Sequence, residues 1–138
     1  MPTSAEYKAM YEATYWAWDA TDKGYYVFKP GEGTLGSAGD YGTIADTDNK
    51  VKALLFFPAA GHGKNTSLYD AGSFGLYWPG SLSSSKKPIQ ACYLSFSSSN
   101  VNPQDDFRRC YGLPVRAVSD VPVQSEITNP FGGDEVNW

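Results

Sequence analysis

Two cysteines and one histidine are the side chains in this sequence best suited to chemistry. A thiolate paired with an imidazole would supply a nucleophile and its base. His62, however, stands in a glycine-flanked stretch, Gly61-His62-Gly63, distant in sequence from Cys92 and Cys110, and reads as a solvent-facing turn residue. One His and two Cys also fall short of a four-coordinate zinc site. Two further stretches mimic known ligand sites. Gly31-Glu32-Gly33-Thr34-Leu35-Gly36 has the spacing of a dinucleotide-binding turn, yet Ser37-Ala38-Gly39-Asp40 after it is no helix, and the pyrophosphate needs a helix N-terminus. Asp46-Thr47-Asp48-Asn49 offers closely spaced oxygens, but a calcium loop would continue with another oxygen donor where Lys50 stands, so a solvated acidic turn is the reading. No metal and no cofactor is expected.

What remains is a displayed surface, and the stretch 91–118 is organised to carry one. Cys92, Leu94 and Phe96 alternate with Tyr93 and Ser95 in the period-2 pattern of a strand with one buried face. Residues 110–118 repeat it with Leu113, Val115 and Ala117. Between them residues 97–106 are small, polar and turn-prone, with Pro103 unable to donate to a sheet ladder, so a hairpin displaying a surface loop is expected. Cys92 and Cys110 would then sit in facing arms, either bridged or as free thiols; two isolated cysteines do not make a disulfide framework.

Other elements must hold that hairpin in place. Thr3 followed by Glu6 is a capping box, and Tyr7, Met10 and Tyr11 recur at helical spacing, which predicts a short amphipathic helix over 4–12. Tyr15-Trp16-Ala17-Trp18 switches to alternation, and after a turn over 19–24 a second strand runs over 24–28. Residues 30–50 read as a long surface loop containing at most one short strand. Residues 51–60 are the most apolar run and predict a strand buried on both faces, with 53–58 at the centre of the sheet. Another strand over 72–78 ends at Pro79-Gly80. Residues 81–88 are a serine-rich loop, and 119–138 lack periodicity and read as an irregular tail.

The segment Asn100-Val101-Asn102-Pro103, then five positions, then Arg109, a pair, Gly112 and Val115-Arg116 resembles the ending of the Fibrobacter succinogenes major paralogous domain. That bacterial family has a C-type-lectin-like fold, and the same ending occurs in variable proteins diversified by retroelements. In those, the five positions are Asn in the template and the pair is Tyr-Tyr; here they are Gln104, Asp105, Asp106, Phe107 and Arg108, with Cys110-Tyr111. Leu76-Tyr77-Trp78 resembles the family's aromatic-Trp segment, and Pro2-Thr3-Ser4-Ala5-Glu6-Tyr7 its opening. The resemblance covers most of residues 2–118. It implies an α+β domain with a C-type-lectin-like fold over 1–118, a short N-terminal helix, a twisted antiparallel sheet and long irregular loops.

The function it implies is non-catalytic recognition by a diversified surface domain. Trp78, Asn100, Val101, Pro103, Arg109, Tyr111, Gly112 and Arg116 match scaffold positions, whereas Pro79, Gly80, Leu82, Gln90, Cys92, Ser95, Ser97, Gln104, Asp105, Asp106, Phe107, Arg108 and Cys110 depart from or alternate with them. Phe107 would be an apolar anchor, Arg108, Asp105 and Asp106 charged selectors, and Trp78 and Tyr111 an aromatic floor. Period-2 geometry sends strand residues to alternate faces, so not all can join one patch. Calcium-dependent sugar binding would need Glu-Pro-Asn or Gln-Pro-Asp and Trp-Asn-Asp triplets, which the sequence lacks. Formylglycine-generating enzymes share the broader fold class and use a cysteine pair, but Cys92 and Cys110 fall at the ending's tyrosine positions without that enzyme's surroundings. A fixed carbohydrate-binding or structural adhesin module is the second reading.

Composition agrees with one globular domain: 138 residues, 41% hydrophobic, with 14 Gly. A net charge of −4 argues against a nucleic-acid partner, and no apolar run is long enough for direct membrane insertion. The expected partner is a protein or glycan ligand. No signal peptide is visible at the start, and because the chain begins where the family motif begins, it is expected to be one domain of a larger cell-surface or secreted protein.

Overall fold

A computed structural model describes residues 1–31, 36–44, 47–81 and 90–118, and of residues 47, 48, 90 and 107 the backbone alone. Helix α1 (Ser4–Ala13) is followed by β1 (Tyr15–Asp19), β2 (Gly24–Phe28), β3 (Asp40–Thr43), a 3-10 turn (Thr47–Lys52), β4 (Leu55–Pro58), β5 (His62–Lys64), β6 (Ser67–Tyr69), β7 (Phe74–Tyr77), β8 (Gln90–Ser97) and β9 (Asn100–Arg108). The class is α+β, one short helix with largely antiparallel sheets.

The helix begins where its cap dictates. The Glu6 amide donates to the Thr3 hydroxyl at 3.1 Å, and the Thr3 amide donates back to the Glu6 carboxylate at 3.0 Å. It ends at Thr14, whose hydroxyl donates to the Met10 carbonyl at 2.6 Å and accepts from the Trp16 indole at 3.0 Å. One residue thus closes the helix and orients the first core tryptophan. Tyr7 turns its ring into the core at 1% exposure. Burial pushes its hydroxyl up to about 12, against the opposing charge of Arg116.

The first sheet has the order β3-β1-β2-β4. β1 and β2 form an antiparallel hairpin with Trp16 opposite Val27 and Trp18 opposite Tyr25, while β3 lies parallel to β1. Its core is aromatic: Trp16 stacks on Phe57 at 5.1 Å between centroids, and Tyr25 meets Phe96 edge-on at 5.3 Å. The Tyr25–Phe96 contact joins it to the second sheet, β7-β8-β9, an antiparallel meander. Gly75 makes that join possible. It lies opposite Phe96, and a Cβ there would overlap the Phe96 ring.

Three sequence expectations fail here. The apolar run 51–60 is not a central strand: Val51 and Leu54 are 87% and 53% exposed, and β4 pairs with β2 alone at the sheet's edge. Of its large side chains only Phe57 is fully buried, because the preceding 3-10 turn lifts 51–52 off the sheet. Nor is 97–106 a display loop. The turn is only Ser98-Ser99, and β9 starts at Asn100. Pro103 is tolerated because β9 is the outer strand of the meander, and because the register slips from Tyr93↔Asp105 to Ser95↔Asn102, leaving Pro103 and Gln104 opposite Leu94 as a bulge.

The second arm, 110–118, is not a strand either. Leu113 is buried, but Val115 is 56% exposed, and the segment makes only single bridges, Gly63↔Gly112 and Trp78↔Val115. Gly63 and Gly112 exchange amide-to-carbonyl bonds of 2.7 and 2.9 Å, and the Trp78 amide donates to the Pro114 carbonyl at 3.2 Å. Arg116 then clamps the segment to β4, donating to the Phe56 carbonyl at 3.0 Å with its guanidinium over the Phe57 ring. The near end of the chain is tied to the same region, where the Gly80 amide donates to the Pro2 carbonyl at 2.7 Å and the Ser4 amide to the Ser81 hydroxyl at 2.8 Å.

Candidate functional site

Alternation along β8 sorts the sequence-predicted site into two faces. Cys92, Leu94 and Phe96 point to the core and toward α1, and their neighbours on β9 follow them. Cys92 lies opposite Asp106, its thiol 3.6 Å from the carboxylate, and Gln104 donates its side-chain amide to the Ser4 hydroxyl at 3.1 Å. Cys92 and Asp106 therefore bind β9 to β8, and Gln104 fastens β9 to α1. The thiols of Cys92, buried, and Cys110, exposed, are both free, and the facing-arm geometry is overturned because Cys92 pairs with Asp106 and not with Cys110.

The opposite face of the same meander carries Leu76, Tyr93 and Leu113, with Trp78 and Tyr111 packed half-buried against them. Ser95 and Asp105 share that face, since Leu76 lies opposite Ser95 and Tyr93 opposite Asp105. One Asp105 oxygen accepts from the Tyr93 hydroxyl at 3.0 Å and from the Ser95 hydroxyl at 3.1 Å, while the other accepts the Asp106 amide at 2.9 Å. Burial, then the Asp105 charge and its hydrogen bond, drive the Tyr93 hydroxyl well above its ordinary range. It is a committed donor at any physiological pH. Asp105 is thus a fixed negative charge set into an aromatic surface.

The aromatic surface continues onto the β5–β6 hairpin. His62 is not a solvent-facing turn residue; it is 9% exposed, its ring 5.3 Å from Tyr111 and 5.7 Å from Tyr69, with Nδ1 3.5 Å from an Asp70 oxygen. Lys64 places its ammonium 5.5 Å from the Tyr111 ring centroid. The glycines that flank His62 mark a strand crossing and not a solvent-exposed turn: Gly61, at φ +68°, would drive a Cβ into the Tyr69 carbonyl, and Gly63 pairs with Gly112.

Of the remaining predicted residues, Pro79 is buried, Gly80 is exposed but spends its amide on Pro2, and Ser97 accepts the Tyr25 hydroxyl on its carbonyl at 2.6 Å. Arg108 and Cys110 are exposed at the far end of β9. The backbone of Gln90 lies opposite Arg108 and that of Phe107 opposite Ala91. Leu82, the glycine stretch 32–35, Asp46 and the tail 119–138 lie outside the described residues.

Trp78, Ser95, Asp105 and Tyr111 therefore come together, and Cys92, Gln104 and Asp106 do not join them. Sequence reasoning missed Tyr93, His62 and Lys64. Tyr93 was recoverable, because alternation that buries Cys92 and Leu94 must send it to the side of Ser95. His62 and Lys64 carried no such signal, since they arrive through a crossing of two sequence-distant glycines.

Among the described residues no group of three or more His, Cys, Asp or Glu is placed to hold a metal ion, and no helix is long and apolar enough to cross a membrane. No protein-family model, no curated protein and no solved structure matches the chain.

Proposed function

We propose that this chain is a C-type-lectin-like recognition domain, non-catalytic and diversified by a retroelement, carried by a larger bacterial cell-surface or secreted protein. Its contact surface would be the outer face of the β7-β8-β9 meander, and its partner a protein. The observation that supports this reading best is the gathering of Trp78, Tyr111 and Tyr93 into one half-open aromatic surface around the anchored carboxylate of Asp105. Aromatic rings give contact area at low entropic cost and a fixed charge selects among partners, which is the chemistry of an interface hot spot.

The division of faces sharpens what diversification would look like. Sequencing the coding segment for residues 78–116 across cells of the source population should place substitutions at Ser95, Asp105, Arg108 and Cys110. Asn100, Pro103, Gly112 and Arg116 should be spared, because they set the turn, bulge, crossing and clamp. Cys92, Gln104 and Asp106 should vary less than their neighbours, since Cys92 and Asp106 pair with each other and Gln104 reaches Ser4 of α1. A uniform segment removes the diversification reading and leaves a fixed adhesin module, for which a glycan is the ligand to seek.

A further inference from the structure

At the other end of β8 from Arg108, where the Ser98-Ser99 turn leads into β9, the two sheets leave an open cleft of about 380 Å³ between them. Trp18, Lys23, Ser73 and Phe74 line it together with the successive serines Ser97, Ser98 and Ser99. We propose that this cleft is a second binding site, taking a carboxylated sugar residue, with Lys23 on the carboxylate, the serine hydroxyls on the ring hydroxyls and Phe74 against the apolar ring face.

Each wall is held by the fold. The Tyr25 hydroxyl donates to the Ser97 carbonyl at 2.6 Å, and its ring meets Trp18 edge-on at 5.2 Å, so the floor and the serine turn move as one body. On the opposite wall the Ala59 amide donates to the Lys23 carbonyl at 2.8 Å and the Gly72 amide to the Ala59 carbonyl at 2.7 Å. Lys23 and Gly72 both take left-handed backbone conformations, at φ 55° and φ 82°. Lys23 takes that conformation as the last residue of the β1–β2 turn, and the Ala59 amide on its carbonyl ties the turn to the opposite wall.

The chemistry left open in the cleft selects the ligand class. Lys23 pairs with no carboxylate among the described residues, although the lysine of the 3-10 turn, Lys50, bonds two. Phe74 keeps 45% of its surface exposed, so its ring is open to a ligand. Ser97 and Ser99 hydroxyls approach each other only at 3.4 Å, a long contact that a ligand hydroxyl readily replaces. Hydroxyls that donate and accept match a polyol, the exposed ring matches its C–H face, and the free ammonium matches an acid group. The site lies at the Phe74–Ser97 end of β7 and β8, four residues along β7 from Trp78, and shares no residue with the Trp78, Tyr93, Asp105 and Tyr111 surface, so either can fail alone.

The test is titration of the whole chain with D-glucuronate, followed by amide NMR shifts, with D-glucose and acetate as controls. Glucuronate should saturate shifts at Phe74 and at Ser97, Ser98 and Ser99 with a Kd of order 1 mM, and glucose and acetate should each bind at least about tenfold more weakly. Lys23→Asn, which suits the left-handed backbone, and Phe74→Ala should each weaken binding by about tenfold while leaving the remaining amide spectrum folded. The proposal is overturned by equal binding of glucose, by saturable shifts confined to another surface, by indifference to both variants, or by no shift up to about 50 mM, roughly fifty times the expected Kd.

Discussion

The two sheets use the same residue types for opposite ends. In the β3-β1-β2-β4 sheet Trp16, Ala17, Trp18 and Asp19 are all buried in succession, so strand β1 has both faces covered, and Trp16 packs among the core rings of Tyr25 and Phe57. In the β7-β8-β9 meander the inner face is sealed, while the outer face is covered only in part: Leu76, Tyr93 and Leu113 are buried, and Trp78 and Tyr111 beside them keep part of their rings in solvent. Aromatic content alone says nothing about binding. What separates a core tryptophan from a contact tryptophan is whether a second layer covers the strand.

Substitutions that probe each side test that contrast. The largest effect belongs to Trp16→Ala, which empties the centre of the aromatic cluster and should cost about 3–5 kcal/mol by chemical denaturation. Trp78→Ala, at the half-open face, should cost clearly less, and equal losses would erase the distinction between the sheets. Next comes Asp105→Ala, which removes the carboxylate that accepts from the Tyr93 and Ser95 hydroxyls and should cost about 1–3 kcal/mol. The double variant Tyr93→Phe with Asp105→Ala should recover part of that loss, because it also removes the hydroxyl that the carboxylate served. If the double variant is simply additive, the pair is not coupled.

Smaller again is Thr3→Ala, which removes the cap of α1 for about 1 kcal/mol, read as a lower denaturation midpoint at an unchanged slope. The smallest effect depends on pH. Burial opposes ionisation of Asp19, but the Lys50 hydrogen bond and the Thr21 and Asp22 amides outweigh it and hold the carboxyl below its usual value. A carboxyl lowered on folding stabilises the fold above its unfolded pKa of about 3.9 and loses that contribution as pH falls through its folded value. Asp19→Asn keeps an acceptor for the two amides and removes the charge. Thermal melts should therefore show a shallower acid limb below about pH 4 than the parent chain, with little difference in slope near neutrality.

Local signals in the sequence were read correctly wherever the interactions that made them are local. The capping box Thr3 to Glu6 started α1 one residue after its cap, and the alternation of Tyr25, Val27 and their neighbours marked β2 at its observed bounds. Elements whose character depends on a distant partner were misread. Pro103 argued for a loop, yet an outer strand with a bulge asks nothing of its missing N–H. Residues 51–60 argued for a central strand by hydrophobicity, yet pairing with β2 alone left Val51 and Leu54 in solvent. The site divides in the same way: the partition of Cys92 from Tyr93 and Ser95 was implicit in the period of two, whereas the arrival of His62 and Lys64 beside Tyr111 was not.

By itself, then, the sequence determined the helix and its cap, the alternating strands on either side of the core, and which residues of β8 must share a face, because each follows from backbone geometry within a few residues. Only the tertiary structure decided which strand lies outermost, which face of the meander stays open, and that a buried histidine crosses beside Tyr111. Those outcomes depend on contacts between residues tens of positions apart, such as Gly63 with Gly112 and Arg116 with Phe56, whose closure no local pattern records.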